Sequence, residues 1–233
     1  MKRRILVIFS IALTVLILVG YLEYRGFIWH NEIFAQRYDV KGLDVSNHQG
    51  EIDWEKVSES RYSFVFIKAT EGNDYRDKYF QSNWDEAKKN GLLRGAYHYF
   101  TTGSSGNEQA ENFINLVPDE DGMLPPVIDI EVLGDSKEVY LRELTDLITR
   151  VEQHYGKKPI LYVMYPYYEE YIKGSFEDYP IWIRDIVKHP SLSDGRKWTF
   201  WQYCNRGHVK GIGTYVDINC FSGSMEELLE LAK

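Results

Sequence analysis

From Lys41 onward, short apolar runs alternate with stretches whose apolar positions recur every three or four residues, the respective marks of buried strands and amphipathic helices. Strands are predicted at 42–46 (GLDVS), 64–70 (FVFIKAT), 92–100 (LLRGAYHYF), 125–131 (PPVIDIE) and 159–163 (PILYV). Helices are predicted from Asp53, over 77–91 with Gly91 as the stop, from about Ser105 to Leu116, and from about Ser136 to Tyr155. Such alternation implies a parallel sheet with crossover helices. Beyond Tyr171 the helical pattern fades, leaving strands at 180–184, 198–204 and 214–221 and a last amphipathic helix from Ser224. The expected fold is therefore α/β, an incomplete (β/α) TIM-like barrel of eight strands whose helices are missing in the last third.

The chain begins differently. Residues 1–4 carry Lys2, Arg3 and Arg4, and residues 5–22 contain no charge. Eighteen apolar residues make about 27 Å of helix, close to a hydrocarbon core. No small-x-small cleavage site follows Gly20 closely, so the segment reads as an uncleaved signal anchor with its basic end in the cytoplasm. The alternative is a secreted protein cleaved near Ala35. Residues 23–40 read as a stalk or linker, and residues 41–233 as the catalytic domain.

Residues 1–40 hold five basic and three acidic residues, so of the chain's net −8 the remainder carries −10. That balance argues against a nucleic-acid partner held by charge. A monomer is expected. Cys204 and Cys220 flank a predicted hairpin with its turn near Lys210 and Gly211, which sets Cys204 opposite about position 217. The offset of about 10 Å along a strand disfavours a bridge, and two buried thiols are expected.

Candidate chemistry concentrates where strands end. In PPVIDIEV, Asp129 and Glu131 occupy alternate positions, so both carboxylates leave the same face with backbones about 7 Å apart. Desolvation and repulsion both resist that placement. Asp44 closes the first strand, Glu71 follows the second, Tyr97 and His98 end the third, and Asp217 lies in the last. Barrels of this type gather functional groups at the C-terminal strand ends, and a carboxylate pair is the minimum for glycoside hydrolysis. Tyr97, Tyr99, Tyr162 and Trp201 are candidates to stack on sugar faces and bond their hydroxyls, whereas Trp182 and Trp198 are assigned to core packing. His98 is expected as a hydrogen-bonding neighbour of the acids. A metal site built from His98, Asp44, His48 and Asp129 lacks any paired-ligand spacing, so neither metal nor cofactor is expected. No phosphate-binding glycine loop and no G-x-S-x-G elbow occurs.

Together, GLDVSNHQGEIDW (42–54), FVFIKATEG (64–72), GAYHYF (95–100), LPPVIDIE (124–131), WQY (201–203) and GTYVDINCFSGS (213–224) resemble glycoside hydrolase family 25, the N-acetylmuramidase lysozymes. The resemblance spans roughly residues 41–233. It implies that Asp44, Asp129, Glu131 and Asp217 are the active-site acids, with Glu131 the acid/base. It also implies an incomplete barrel, and peptidoglycan as substrate, cut between N-acetylmuramic acid and N-acetylglucosamine. IWIRDI departs from the family pattern, which has a small residue and an aromatic after the tryptophan. Two other readings stay open at this point: a membrane-tethered glycan-binding protein without turnover, and a metal-dependent polysaccharide deacetylase.

Overall fold

A computed structural model describes residues 2–233, so Met1 of the basic N-terminal end lies outside the described residues. The elements are α1 (Lys2–Tyr24), α2 (Glu32–Ala35), β1 (Lys41–Val45), α3 (Trp54–Ser58), β2 (Tyr62–Glu71), β3 (Tyr75–Arg76) and α4 (Phe80–Lys89). They continue through β4 (Leu93–Tyr99), α5 (Gly106–Ile114), β5 (Val127–Ile130), α6 (Lys137–Tyr155), β6 (Ile160–Val163) and α7 (Tyr165–Tyr167). The chain ends with β7 (Ile181–Arg184), β8 (Phe200–Gly207), β9 (Val216–Phe221) and α8 (Met225–Leu231).

Pairing of β1 with β2 closes the sheet in the order β1-β9-β8-β7-β6-β5-β4-β2, with β3 a two-residue edge on β2. The result is the expected eight-stranded barrel. Its helices follow local sequence. Ser105 accepts from Glu108 N while the Glu108 side chain accepts from Ser105 N, so α5 opens with a capping box. Gly156 at φ 65 stops α6 in the left-handed conformation that favours glycine.

One strand departs from the regular alternating barrel: β9 runs antiparallel to both β8 and β1. A short hairpin joins β8 to β9, so no crossover helix is needed, and the first residues of β9 lie at the C-terminal ends of its neighbours. In register, Asp217 therefore sits opposite Asp44.

Alternation divides the barrel into an outer and an inner layer. Outward residues such as Ile128, Ile130, Leu161 and Val163 join a core shared with the helices. Inward residues Phe64, Phe66, Val127, Ile160, Phe200 and Phe221 fill the lower barrel, and α8 adds Leu228 and Ala232 to the same cluster. Two glycines make that filling possible. A Cβ on Gly42 would meet the Phe64 ring at 2.3 Å, and one on Gly95 the Phe66 ring at 2.7 Å. The filled floor forces any ligand to the opposite, C-terminal end.

The stretch expected as a stalk is instead a strap against the barrel. Asn31 is fully buried, and its Nδ2 donates to the carbonyls of Asp185 (3.0 Å) and Tyr203 (3.3 Å). Ala35 is fully buried, and its carbonyl accepts from the Nζ of the buried Lys41. Tyr38 packs edge-on against Trp198 and Trp201. The strap covers β8 where no helix does, so the outward aromatics Trp201 and Tyr203 are shielded by chain that precedes the barrel. Deleting residues 1–38 should therefore lower stability by about 3 kcal/mol, since it bares large apolar surface and strips Lys41 of its acceptor. Deleting only residues 1–24 should not. Thermal unfolding of the two truncations makes the comparison, and equal midpoints would show that the strap is dispensable.

Cys204 and Cys220 are both buried and unbridged, with Cys204 opposite Ile218 and Cys220 opposite Trp201. Burial pushes both thiols up to about 12, which leaves them inert.

Candidate active site

Above the aromatic floor the inward positions turn polar. Asp44 from β1, Tyr97 from β4, Asp129 and Glu131 from β5 and its exit, Tyr162 from β6, Trp182 from β7 and Asp217 from β9 line one cavity. Register accounts for the convergence: Asp44 pairs with Asp217, Tyr99 with Asp129, and Asp129 with Tyr162. The four acids inferred from sequence thus meet in one place.

Neutral polar side chains face two of them. Asn219 Nδ2 donates to Asp44 Oδ2 at 2.7 Å, and its Oδ1 accepts from Trp182 Nε1 at 2.9 Å. Tyr162 OH donates to Gln202 Oε1 at 2.5 Å, and the Gln202 side chain favours the charged form of Asp217. Asp129 differs. It is 8% exposed, and its buried Oδ1 accepts no hydrogen bond from the protein.

Burial and crowding favour the protonated forms of all four. Desolvation, then the charge of Asp217, lifts Asp44 well above the usual carboxylate range. Desolvation, then Glu131, lifts Asp129 likewise. Glu131 is raised by burial while Arg184 and Lys68 pull it back. Asp217 is raised by burial to about 6, with Arg184, Gln202 and Asp44 opposing. Neighbouring carboxyls of this kind share protons and titrate as a set.

Raised carboxyl pKa values mean that folding takes up protons, so this site costs stability as pH rises from the unfolded value near 4 through the folded value. For Asp217 the window is between about 4 and 6. Asp217→Asn removes that titration and leaves an amide able to donate to Asp44. Its stability, read from thermal unfolding, should match wild type below pH 4 and exceed it above pH 6, by about 1 kcal/mol because Asp217 keeps part of its surface in water. An unchanged or lower midpoint at neutral pH would refute the proton uptake.

Several residues join the site that the reading of strand ends alone does not single out. Trp182, assigned to the core, lines the cavity and fixes Asn219. Lys68 continues the inward series of Phe64 and Phe66, lies 5.1 Å from the Tyr99 ring, and pairs with Glu71 at 2.7 Å. Glu71 therefore bears on the site through Lys68. Arg184, the departure in IWIRDI, stands at the end of β7 with its guanidinium 3.2 Å from Met164 Sδ, and its charge reaches both Glu131 and Asp217. Strand parity was the available clue for each.

Two expectations fail for the same reason. His98 is fully buried on the outer face of β4, between Thr70 Oγ1 (2.7 Å) and Gln109 Oε1 (3.1 Å), where burial pushes it down to about 4. It is not a neighbour of the acids, because the alternation that turns Tyr97 inward turns His98 outward. Trp201 is likewise outward and fully buried, with its Nε1 donating to the Asp185 carbonyl at 2.8 Å. Tyr99 stays at the rim, half-buried, and burial raises its hydroxyl to about 12.

Comparison with known proteins agrees with this geometry. The family model for glycosyl hydrolases family 25 matches residues 43–212. A family 25 glycosyl hydrolase from Bacillus anthracis is 45% identical in sequence and superposes with a TM-score of 0.80, over 84% of this chain and 95% of that one. Uncharacterized protein YegX of Escherichia coli is 41% identical over 197 residues, covering 82% of this chain and 72% of that protein. Lysozyme M1 of Streptomyces globisporus is 34% identical over 214 residues, covering 85% and 73%. With a shared profile over most of its length, a shared barrel and four acids at the filled barrel's open end, the chain belongs to glycosyl hydrolase family 25.

Proposed function

We propose that this glycoside hydrolase is a lysozyme that cleaves the β-1,4 bond between N-acetylmuramic acid and N-acetylglucosamine of peptidoglycan, with retention assisted by the substrate's own 2-acetamido group. Relatives named as lysozymes and as N,O-diacetylmuramidase support the substrate. One observation carries the mechanism: Asp129 and Glu131 emerge side by side from β5, and the buried Oδ1 of Asp129 accepts nothing from the protein.

Two carboxyls on one side of a sugar cannot also flank it, which leaves no base from this pair for a water on the far face. They suit another division of labour. Asp129 accepts the acetamido N–H, turning the amide oxygen towards the anomeric carbon and offsetting the positive charge that develops as the ring of an oxazolinium ion closes. Glu131 protonates the departing glycosidic oxygen, then takes a proton from the water that opens that ring. Asp44 and Asp217 act as positioning residues, and burial holds the proton on Glu131. Mass spectrometry of fragments released from purified peptidoglycan tests the bond assignment: new reducing ends should be muramic acid, and glucosamine ends would assign a different bond.

In the free site Asp129 is raised further than Glu131, so the acetamido N–H that Asp129 accepts must favour its charged form on binding. With Glu131 protonated and Asp129 charged in the complex, activity should trace a bell on the acidic side of neutrality. The basic limb reflects the raised Glu131. Glu131 is pulled down by Arg184, so Arg184→Met should move that limb to higher pH, and an unmoved limb in a pH–rate profile would exclude the charge of Arg184 from the tuning.

The N-terminal segment, in the same reading, is an uncleaved anchor. Arg3–Tyr24 forms 22 helical residues, about 33 Å in length, and its most apolar 18-residue window has mean hydropathy 2.8 and no buried residue. The basic residues that open the sequence orient it with the domain outside the cytoplasm.

A further inference from the structure

We infer that the domain lies against the outer face of the membrane on its strap side, so that the glycan it cuts is glycan at the membrane surface, including chains still attached to a membrane lipid. This rests on the anchor and lysozyme readings above.

The anchor does not end in a free linker. Helix α1 stops at Tyr24, whose carbonyl accepts from Arg206 Nη1 at 2.9 Å, and the next carbonyl, of Arg25, bonds His208 Nε2 at 2.8 Å. Gly26 follows with φ 69, so close to β8 that a Cβ there would lie 1.9 Å from the Arg206 carbonyl. Phe27 stacks on His208 with ring centres 4.9 Å apart, and the Arg206 guanidinium lies over the Tyr24 ring. Four consecutive residues are thus bonded or packed onto the β8–β9 hairpin.

That hairpin belongs to the catalytic end of the barrel. It follows the C-terminus of β8 and leads into Asp217, the second residue of β9. His208 packs edge-on against Tyr215 with centroids 5.2 Å apart, and Tyr215 precedes Asp217 by two residues, about 7 Å of strand. The end of the membrane span and the nearest catalytic-site carboxylate are therefore on the order of 20 Å apart, less than the thickness of the bilayer core.

Exposed apolar side chains follow the anchor along the strap. Phe27, Ile28, Ile33 and Phe34 on the strap are exposed, and so is Val187, whose carbonyl meets His30. Tyr21 and Tyr24 add exposed aromatic rings at the end of α1, where aromatic residues collect at membrane interfaces. Exposed apolar and aromatic side chains that come directly after a membrane span fit the headgroup boundary of the same bilayer.

The test places the full-length chain in vesicles with a muramyl glycan joined to lipid either directly or through a long hydrophilic spacer. Wild type should cut the directly joined glycan about tenfold faster than the spacer-borne one, as expected when one target falls within reach and the other beyond it. A flexible insertion of about 40 Gly and Ser residues between Tyr24 and Arg25, made together with Ile28→Ser and Ile33→Ser on the exposed strap, preserves the strap's hydrogen bonds from Arg25 onward but frees the domain from both the span and the surface, and should bring the ratio close to one. Equal rates in wild type, or a ratio unchanged in that variant, would overturn the inference. Water-soluble glycan serves as the third substrate: both proteins should cut it alike, and failure to cut it at all would reject the lysozyme reading instead.

Discussion

Replacing Glu131 with Gln should lower turnover by about 10²- to 10⁴-fold, with little change in KM and an intact fold. The amide keeps the size and most contacts of the carboxylic acid but has no proton to give the leaving oxygen. Glu131 is raised by burial, so the native site already favours a neutral side chain at this position, and the neutral amide should not destabilise the barrel at neutral pH. Circular dichroism and thermal unfolding establish the fold, and release of soluble fragments from peptidoglycan establishes the rate. Lytic activity near that of wild type would remove Glu131 from the role of acid.

Asp129→Asn should slow the natural substrate by about 10²- to 10³-fold, because it removes the charge facing the developing oxazolinium and turns a donor towards an amide N–H. The same change should matter far less for glycan lacking the N-acetyl group. Wild type should cut that glycan slowly, and the variant should add little further loss, since both changes delete one interaction. The four rate constants form a cycle. If Asp129→Asn slowed acetylated and deacetylated glycan by equal factors, the carboxylate would act elsewhere than on the acetamide.

The acids were legible because strand period and barrel direction are both written in local sequence. DIE fixes Asp129 and Glu131 on one face, and the end of each apolar run fixes the rim. The hairpin expected around Lys210 also foretold an antiparallel last strand, which is what brings Asp217 in at the start of β9. His98 and Trp201 went astray because height along the barrel was read without parity. Parity would have excluded both and admitted Lys68, Trp182 and Gln202. The strap was beyond such reasoning. Residues 23–40 have neither period, and their burial depends on a bare patch of β8 that exists only once the barrel closes without a full set of helices.

Stereochemistry tests the central claim most directly, because it depends on Asp129 and Glu131 approaching from one side as well as on their being acids. Proton NMR of a defined muramyl glycan, recorded in the first minutes of digestion before mutarotation, reads the configuration of the new reducing end. With the acetamido oxygen as nucleophile, two successive inversions return the starting configuration, and the β-anomer appears first. An α-anomer appearing first would contradict the account: water would then enter from the opposite face, and its base would have to be Asp44 or Asp217.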